Sequence, residues 1–157
     1  MSTFTKWFLL NSLVATAAFF AETKGALSTM VKNDISHLTI VIMILYVILT
    51  AFVGKLCYLA DKLDKKKVKK DSVKLSKQSE VGWFVAEHFF SLGLLGTVFG
   101  LCVATATNLD ETAQVSAIVA GLKAGLNTAF YTTICGIVFS LPLQAQLMIL
   151  RYKLEAE

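Results

Sequence analysis

Four threonines, Thr97, Thr128, Thr132 and Thr133, stand in apolar segments where a lipid-facing helix would carry leucine. A hydroxyl both donates and accepts hydrogen bonds, so a group of them can solvate a small cation, or hold the water that carries a proton, without ionising. Glycines accompany them. Gly93, Gly96 and Gly100 recur at spacings of three and four, which on a helix makes one smooth face, with Thr97 beside it. Further along, Gly121, Gly125, Ala129, Thr132 or Thr133, Gly136 and Ser140 form a second stripe of small residues. Stripes of this kind let helix backbones approach closely inside a membrane. Leu126, Phe130, Ile137 and Leu141 occupy the other side of the second stripe and suit lipid or a neighbouring subunit. Each threonine also has a plainer use, bonding a carbonyl one turn earlier, and the glycines can serve hairpin packing within one chain. Several hydroxyls at similar depth beside small residues favour a polar wall.

The elements that would position these residues follow from the hydropathy pattern. The chain has 157 residues, 55% of them hydrophobic, and a mean hydropathy of +0.64. Soluble domains are nearer ~45–50% apolar. The excess is clustered. Leu38–Gly54, Phe89–Leu109 and Ala124–Leu150 carry no charge. Each is close to or beyond the ~18–20 residues that span the hydrocarbon core, and Lys55 can snorkel from the end of the first. The expected fold is all-α: a polytopic membrane protein with three transmembrane helices and a short N-terminal interfacial helix. Residues 1–35 form the extracytoplasmic helix and connector, 36–60 the first transmembrane helix, 61–82 a lysine-rich cytoplasmic loop, and 83–153 the region of the second and third transmembrane helices.

Trp7–Ala21 is apolar but only ~22 Å long as a helix at ~1.5 Å per residue. Thr5, Asn11, Ser12 and Thr16 fall roughly on one side of it. A helix lying in the interface, anchored by Lys6 and Trp7, is expected. A rival reading takes Ala15-Thr16-Ala17 as the cleavage site of a signal peptide. Trp83 marks the start of the second span. Asn108–Thr112 is a short acidic turn into the third, where Pro142 should introduce a kink.

Charge sets the topology. The net charge of +4 comes largely from Asp61–Lys77, DKLDKKKVKKDSVKLSK. A basic segment beside a membrane helix belongs on the cytoplasmic side. The N-terminus is then expected outside and Arg151–Glu157 inside. No aromatic residues interleave the lysines as stacking platforms for bases, so nucleic acid is not an expected partner. Cys57, Cys102 and Cys135 have no metal-ligand spacing, and neither metal nor cofactor is expected. No nucleophile–base pair appears, so an enzyme is not expected. Glu87 lies near the cytoplasmic end of its helix, and no carboxylate falls in the middle of any span. A proton path through hydrocarbon normally needs a titratable group, so either conduction runs through water and hydroxyls or a partner brings the acid.

On these residues the chain resembles the MotA/TolQ/ExbB proton channel family. Gly93, Leu94, Gly96, Thr97, Val98 and Gly100 match the family's G-L-x-G-T-V-x-G pattern. Gly125, Leu126, Ala129, Thr133, Gly136, Ile137, Leu141 and Pro142 match that of its next helix, with Phe130 in place of a leucine. The resemblance implies a pentamer around a single-span TolR/ExbD/MotB-type partner whose intramembrane aspartate takes and releases protons. It implies pore-lining roles for Thr97 and Thr133, with Thr128 and Thr132 as further candidates, in a bacterial inner membrane. Thr128 stands where ExbB-type members often have glutamate, which leaves sodium open beside the proton. The short cytoplasmic segment makes a flagellar stator role unlike this chain and brings it closer to TolQ and ExbB. Uptake, envelope maintenance, secretion, gliding and defence stay open as the energised process. A passive, holin-like pore without a partner is the alternative, and a non-conducting scaffold a third.

Overall fold

The structure is a computed structural model that describes residues 2–64, 69–106 and 115–155. The expected turn at Asn108–Thr112 lies outside the described residues. Among the described residues every regular element is helical: α1 (Thr3–Thr23), α2 (Ala26–Asn33), α3 (Leu38–Asp64), α4 (Lys69–Ala106) and α5 (Val115–Glu155). At ~1.5 Å per residue α4 and α5 reach ~57 and ~62 Å, well beyond a ~30 Å hydrocarbon core.

α4 and α5 each follow from a buried stripe repeating at three and four residues. On α4 the stripe is Leu75, Ser79, Gly82, Ala86, Phe89, Gly93, Gly96, Gly100 and Ala104. On α5 it includes Gly125, Thr128, Thr132, Cys135, Ser140, Leu143, Leu147 and Leu150. These two stripes face each other along an antiparallel hairpin. The Ser140 hydroxyl donates to the carbonyl of Ala86 at 2.9 Å, and Gly82 lies against Leu147. α3 joins the hairpin through Ile42, Tyr46, Val53 and Leu56, with the rings of Tyr46 and Phe139 4.8 Å apart.

Much of the segment 61–82 expected as a loop is helical, because α3 continues to Asp64 and α4 begins at Lys69. Lysine is a good helix former, and Leu75, Ser79 and Gly82 extend the buried stripe through the charged region.

The N-terminal helix differs more. Among the described residues four helices, not three, are long and apolar enough to cross a membrane, and Thr3–Thr23 is one of them. Ser2 caps it, its hydroxyl accepting from the Thr5 amide at 3.2 Å, so the helix starts before Trp7 and gains a turn. It does not lie across the end of the bundle. Its first two amides, Thr3 and Phe4, donate to the Asp61 carboxylate at 2.9 and 2.8 Å. One turn on, the Trp7 ring covers Gly54, where an added Cβ would come within 2.5 Å of the ring. α1 therefore runs antiparallel to α3, from the lysine-rich end of the bundle. The expectation that the N-terminus lies opposite that end is corrected: it sits beside the last turns of α3.

The reversal from α1 into α2 uses Gly25 at φ +69°, a left-handed conformation that favours glycine. The turn into α3 is tied by Asp34, which is 2% exposed. Its carboxylate accepts from the Ser36 amide at 2.9 Å, the Ser36 hydroxyl at 2.6 Å and the Thr39 amide at 2.8 Å.

Candidate functional site

The hairpin narrows to backbone contact where the glycines meet. A Cβ on Gly136 would stand 2.7 Å from the carbonyl oxygen of Phe89, and one on Gly100 2.5 Å from that of Gly125. Gly93 faces Gly136, and Gly96 receives the side chain of Thr132. Gly93, Gly96, Gly100, Gly125 and Gly136 are all buried at this seam, and Gly121 is half-buried on α5.

Thr97 and Thr133 meet across this seam. Their hydroxyls are hydrogen-bonded to each other. Thr97 Oγ1 also lies 3.2 Å from the Gly93 carbonyl and 3.3 Å from that of Ala129. Thr133 Oγ1 lies 3.0 Å from the Ala129 carbonyl and 3.3 Å from that of Gly93. Two hydroxyl protons thus serve two carbonyls and each other, so the bonds can redistribute without moving a heavy atom. Each oxygen has two acceptor lone pairs, and both residues are half-buried. The pair can offer oxygen to a cation, or to a water, while staying bonded to the helices.

Thr128 and Thr132 point elsewhere. Both have no exposed surface. The Thr132 hydroxyl donates back to the Thr128 carbonyl at 2.8 Å. Thr128 accepts from the Ile35 amide at 3.1 Å and donates to the Asn33 carbonyl at 3.3 Å, fastening the α2–α3 turn to α5. The four threonines therefore do not share one wall. Thr132 and Thr133 are neighbours in sequence, and the ~100° between successive helical residues sends them to different faces.

Two features were not found from the sequence. One is the buried Asp34 described above. The other joins α1 to α5: Gln146, with no exposed surface, accepts from the Trp7 indole at 3.0 Å and donates to the Asn11 side chain at 3.1 Å. An amide inside an apolar helix must find partners, so Gln146 within LPLQAQLMIL was the available signal. Glu87 pairs with the Trp83 indole at 2.7 Å. Among the described residues no three His, Cys, Asp or Glu gather as a metal site.

A family model matches residues 58–157, which hold the end of α3 and all of the α4–α5 hairpin. The chain belongs to the MotA/TolQ/ExbB proton channel family. No curated protein and no solved structure matches it. With four long apolar helices among the described residues, this member of the MotA/TolQ/ExbB family is a multi-pass membrane protein of the channel type. The glycine seam and the Thr97–Thr133 pair both lie within the matched region.

Proposed function

We propose that the chain is the ring-forming subunit of an ion-driven motor in a bacterial inner membrane. Five copies would surround a single-span TolR/ExbD/MotB-type partner carrying an intramembrane aspartate. The observation that supports this most directly is the Thr97–Thr133 pair, two half-buried hydroxyls held at a close-packed glycine seam. Thr128 and Thr132 serve in this reading as internal fasteners behind the wall.

The lysine-rich end faces the cytoplasm in this reading, and with it the start of α1 and the end of α5. Trp7 and Trp83 support that depth. Trp7 bonds Gln146, while Gly82 packs on the adjacent Leu147, so both indoles mark one level, as interfacial tryptophans do. From Trp83 to Thr97 is ~21 Å at ~1.5 Å per residue, which puts the pair within the ~30 Å core.

The partner's aspartate takes a proton from one side and loses it to the other. One charge moved through the membrane releases ~2.3 kcal/mol per 100 mV. Neutralising the buried carboxylate lifts a desolvation penalty of several kcal/mol, and the alternation turns the partner relative to the ring. Thr97 and Thr133 solvate the ion in transit, which is a proton in this proposal; sodium would use the same oxygens.

Thr133→Val keeps the shape and removes the hydroxyl. The expected outcome, in proteoliposomes holding this chain with its partner, is loss of ion flux with the assembled mass unchanged. Wild-type flux from that variant would end the pore role.

A further inference from the structure

We propose that Glu87 is the proton relay at the lysine-side mouth of the ion path, an inference that rests on the channel function proposed above. Trp83, Glu87, Phe90, Leu94 and Thr97 are spaced by four, three, four and three residues, so they form one stripe on α4. Thr133, Ser140, Gln144 and Arg151 form the matching stripe on α5, spaced by seven, four and seven. The two stripes lie together on the flank of the hairpin away from α3. At one end the Thr97 and Thr133 hydroxyls are bonded. At the other, Trp83 and Arg151 line one pocket. α3 holds the opposite flank, through Thr39 beside Cys135 and Tyr46 beside Phe139, and through the groove it shares with Gln78.

Three observations single out Glu87. The first is depth. It lies one turn, ~6 Å, inside the Trp83 level, yet its side chain is exposed on its own chain. An ionisable group at that depth faces water or a protein interior, since acyl chains solvate it poorly. The second is its neighbours. The carboxylate accepts from the Trp83 indole at 2.7 Å, and a carboxylate has about four acceptor sites, so that bond leaves sites for water. On α5, Gln144 donates to the Ser140 hydroxyl at 2.9 Å, and Ser140 donates to the carbonyl of Ala86, the residue before Glu87. Polar groups thus reach inward from the mouth on both helices. The third is an outlet. The pocket beyond Trp83 encloses about 380 Å³ and is lined by Ser76, Ser79, Glu80, Trp83, Arg151 and Leu154, a polar space with room for several waters. His88, at the same depth, is engaged differently. Its Nδ1 donates to the Phe84 carbonyl at 2.6 Å and its ring lies 4.0 Å from that of Phe84, round the helix from the stripe. From Thr97 to Glu87 is ~15 Å, and lumen water carries the proton over that stretch past Phe90 and Leu94. The proton binds the Glu87 carboxylate, giving the neutral acid. It then leaves to water in the pocket, which restores the carboxylate, so one proton moves and nothing else is consumed.

The test uses the full chain assembled with its partner. In nanodiscs, a water-soluble carbodiimide with an amine nucleophile should couple Glu87 as readily as Glu80 in the pocket, read by mass spectrometry. Coupling by dicyclohexylcarbodiimide alone would place the carboxyl among acyl chains and overturn the relay. In proteoliposomes, Glu87→Gln with the assembled mass unchanged should lower proton flux about a hundredfold, the low end of what a positioned proton-transfer group contributes. Glu87→Asp should recover most of it. Wild-type flux in Glu87→Gln would overturn the relay. So would equal loss in Glu87→Asp, which would mean that the fit of the side chain matters and not its proton. Thr133→Val separates the relay from the channel. If it abolishes flux while Glu87→Gln conducts normally, the channel stands and only the relay falls. If it conducts as wild type does, the channel function itself falls. The carbodiimide labelling needs no variant, so it decides even where Glu87→Gln fails to assemble.

Discussion

The α4–α5 hairpin is built in two ways along its length. Around Gly93 and Gly136 the two backbones touch, and the side chain that meets Gly96 is a threonine. Around Gly82 and Leu147 the space is filled by Leu75, Leu143, Leu147 and Leu150, and α1 and α3 wrap the outside. The first half is held by close van der Waals approach and shared hydroxyls. The second is held by side-chain volume and by polar clasps from other helices. The difference also decides what each half leaves free. Around the glycines, Leu94, Val98, Phe130 and Ile137 remain exposed, a surface suited to other subunits. The lysine-side half has spent much of its surface on its own chain.

The same small change made in each half should separate them most sharply. Gly136→Ala pushes a methyl group against the Phe89 carbonyl and the Gly93 backbone, so the helices must part, at a cost of about 3 kcal/mol. Gly82→Ala meets only the end of the Leu147 side chain, at 2.9 Å, which can rotate away for under ~1 kcal/mol. Reversible unfolding in mixed micelles measures both, and equal values would erase the distinction. A smaller effect tests the clasp. Gln146→Leu strands the Trp7 indole and the Asn11 carboxamide oxygen, costing about 2 kcal/mol. Faster proteolysis of α1, with the hairpin intact, is the expected signature. The smallest is Asp61→Asn, which weakens the cap on the Thr3 and Phe4 amides by about 1 kcal/mol. Faster hydrogen exchange confined to the first turn of α1 checks it.

The glycine half was legible from the sequence because spacing alone defines it: Gly93, Gly96 and Gly100 can share only one helical face. The lysine-side half was not. Its stripe, Leu75–Ser79–Gly82–Ala86, is interrupted by charges whose side chains point outward, so composition suggested a loop where periodicity continued. The uncharged apolar run of α1 begins at Trp7, although Ser2 starts the helix earlier. Thr128 and Thr132 share an apolar setting with Thr97 and Thr133 in the sequence. Their angular positions already separated Thr132 from Thr133, but only the packing of the α2–α3 turn shows what Thr128 holds. Gln146 was hidden by the apolar run around it, and its partners lie 135 and 139 residues away.

The fastening of α1 has a consequence for biogenesis. Its amide anchor is 58 residues downstream, and its indole's acceptor is 139 residues downstream. At a ribosomal rate of ~5–20 residues per second, that second latch emerges roughly 7–30 s after the tryptophan it receives. Until then the Trp7 indole and the Asn11 carboxamide oxygen wait for their partner on α5. α1 precedes α5 into the membrane and is locked only once that helix has been translated.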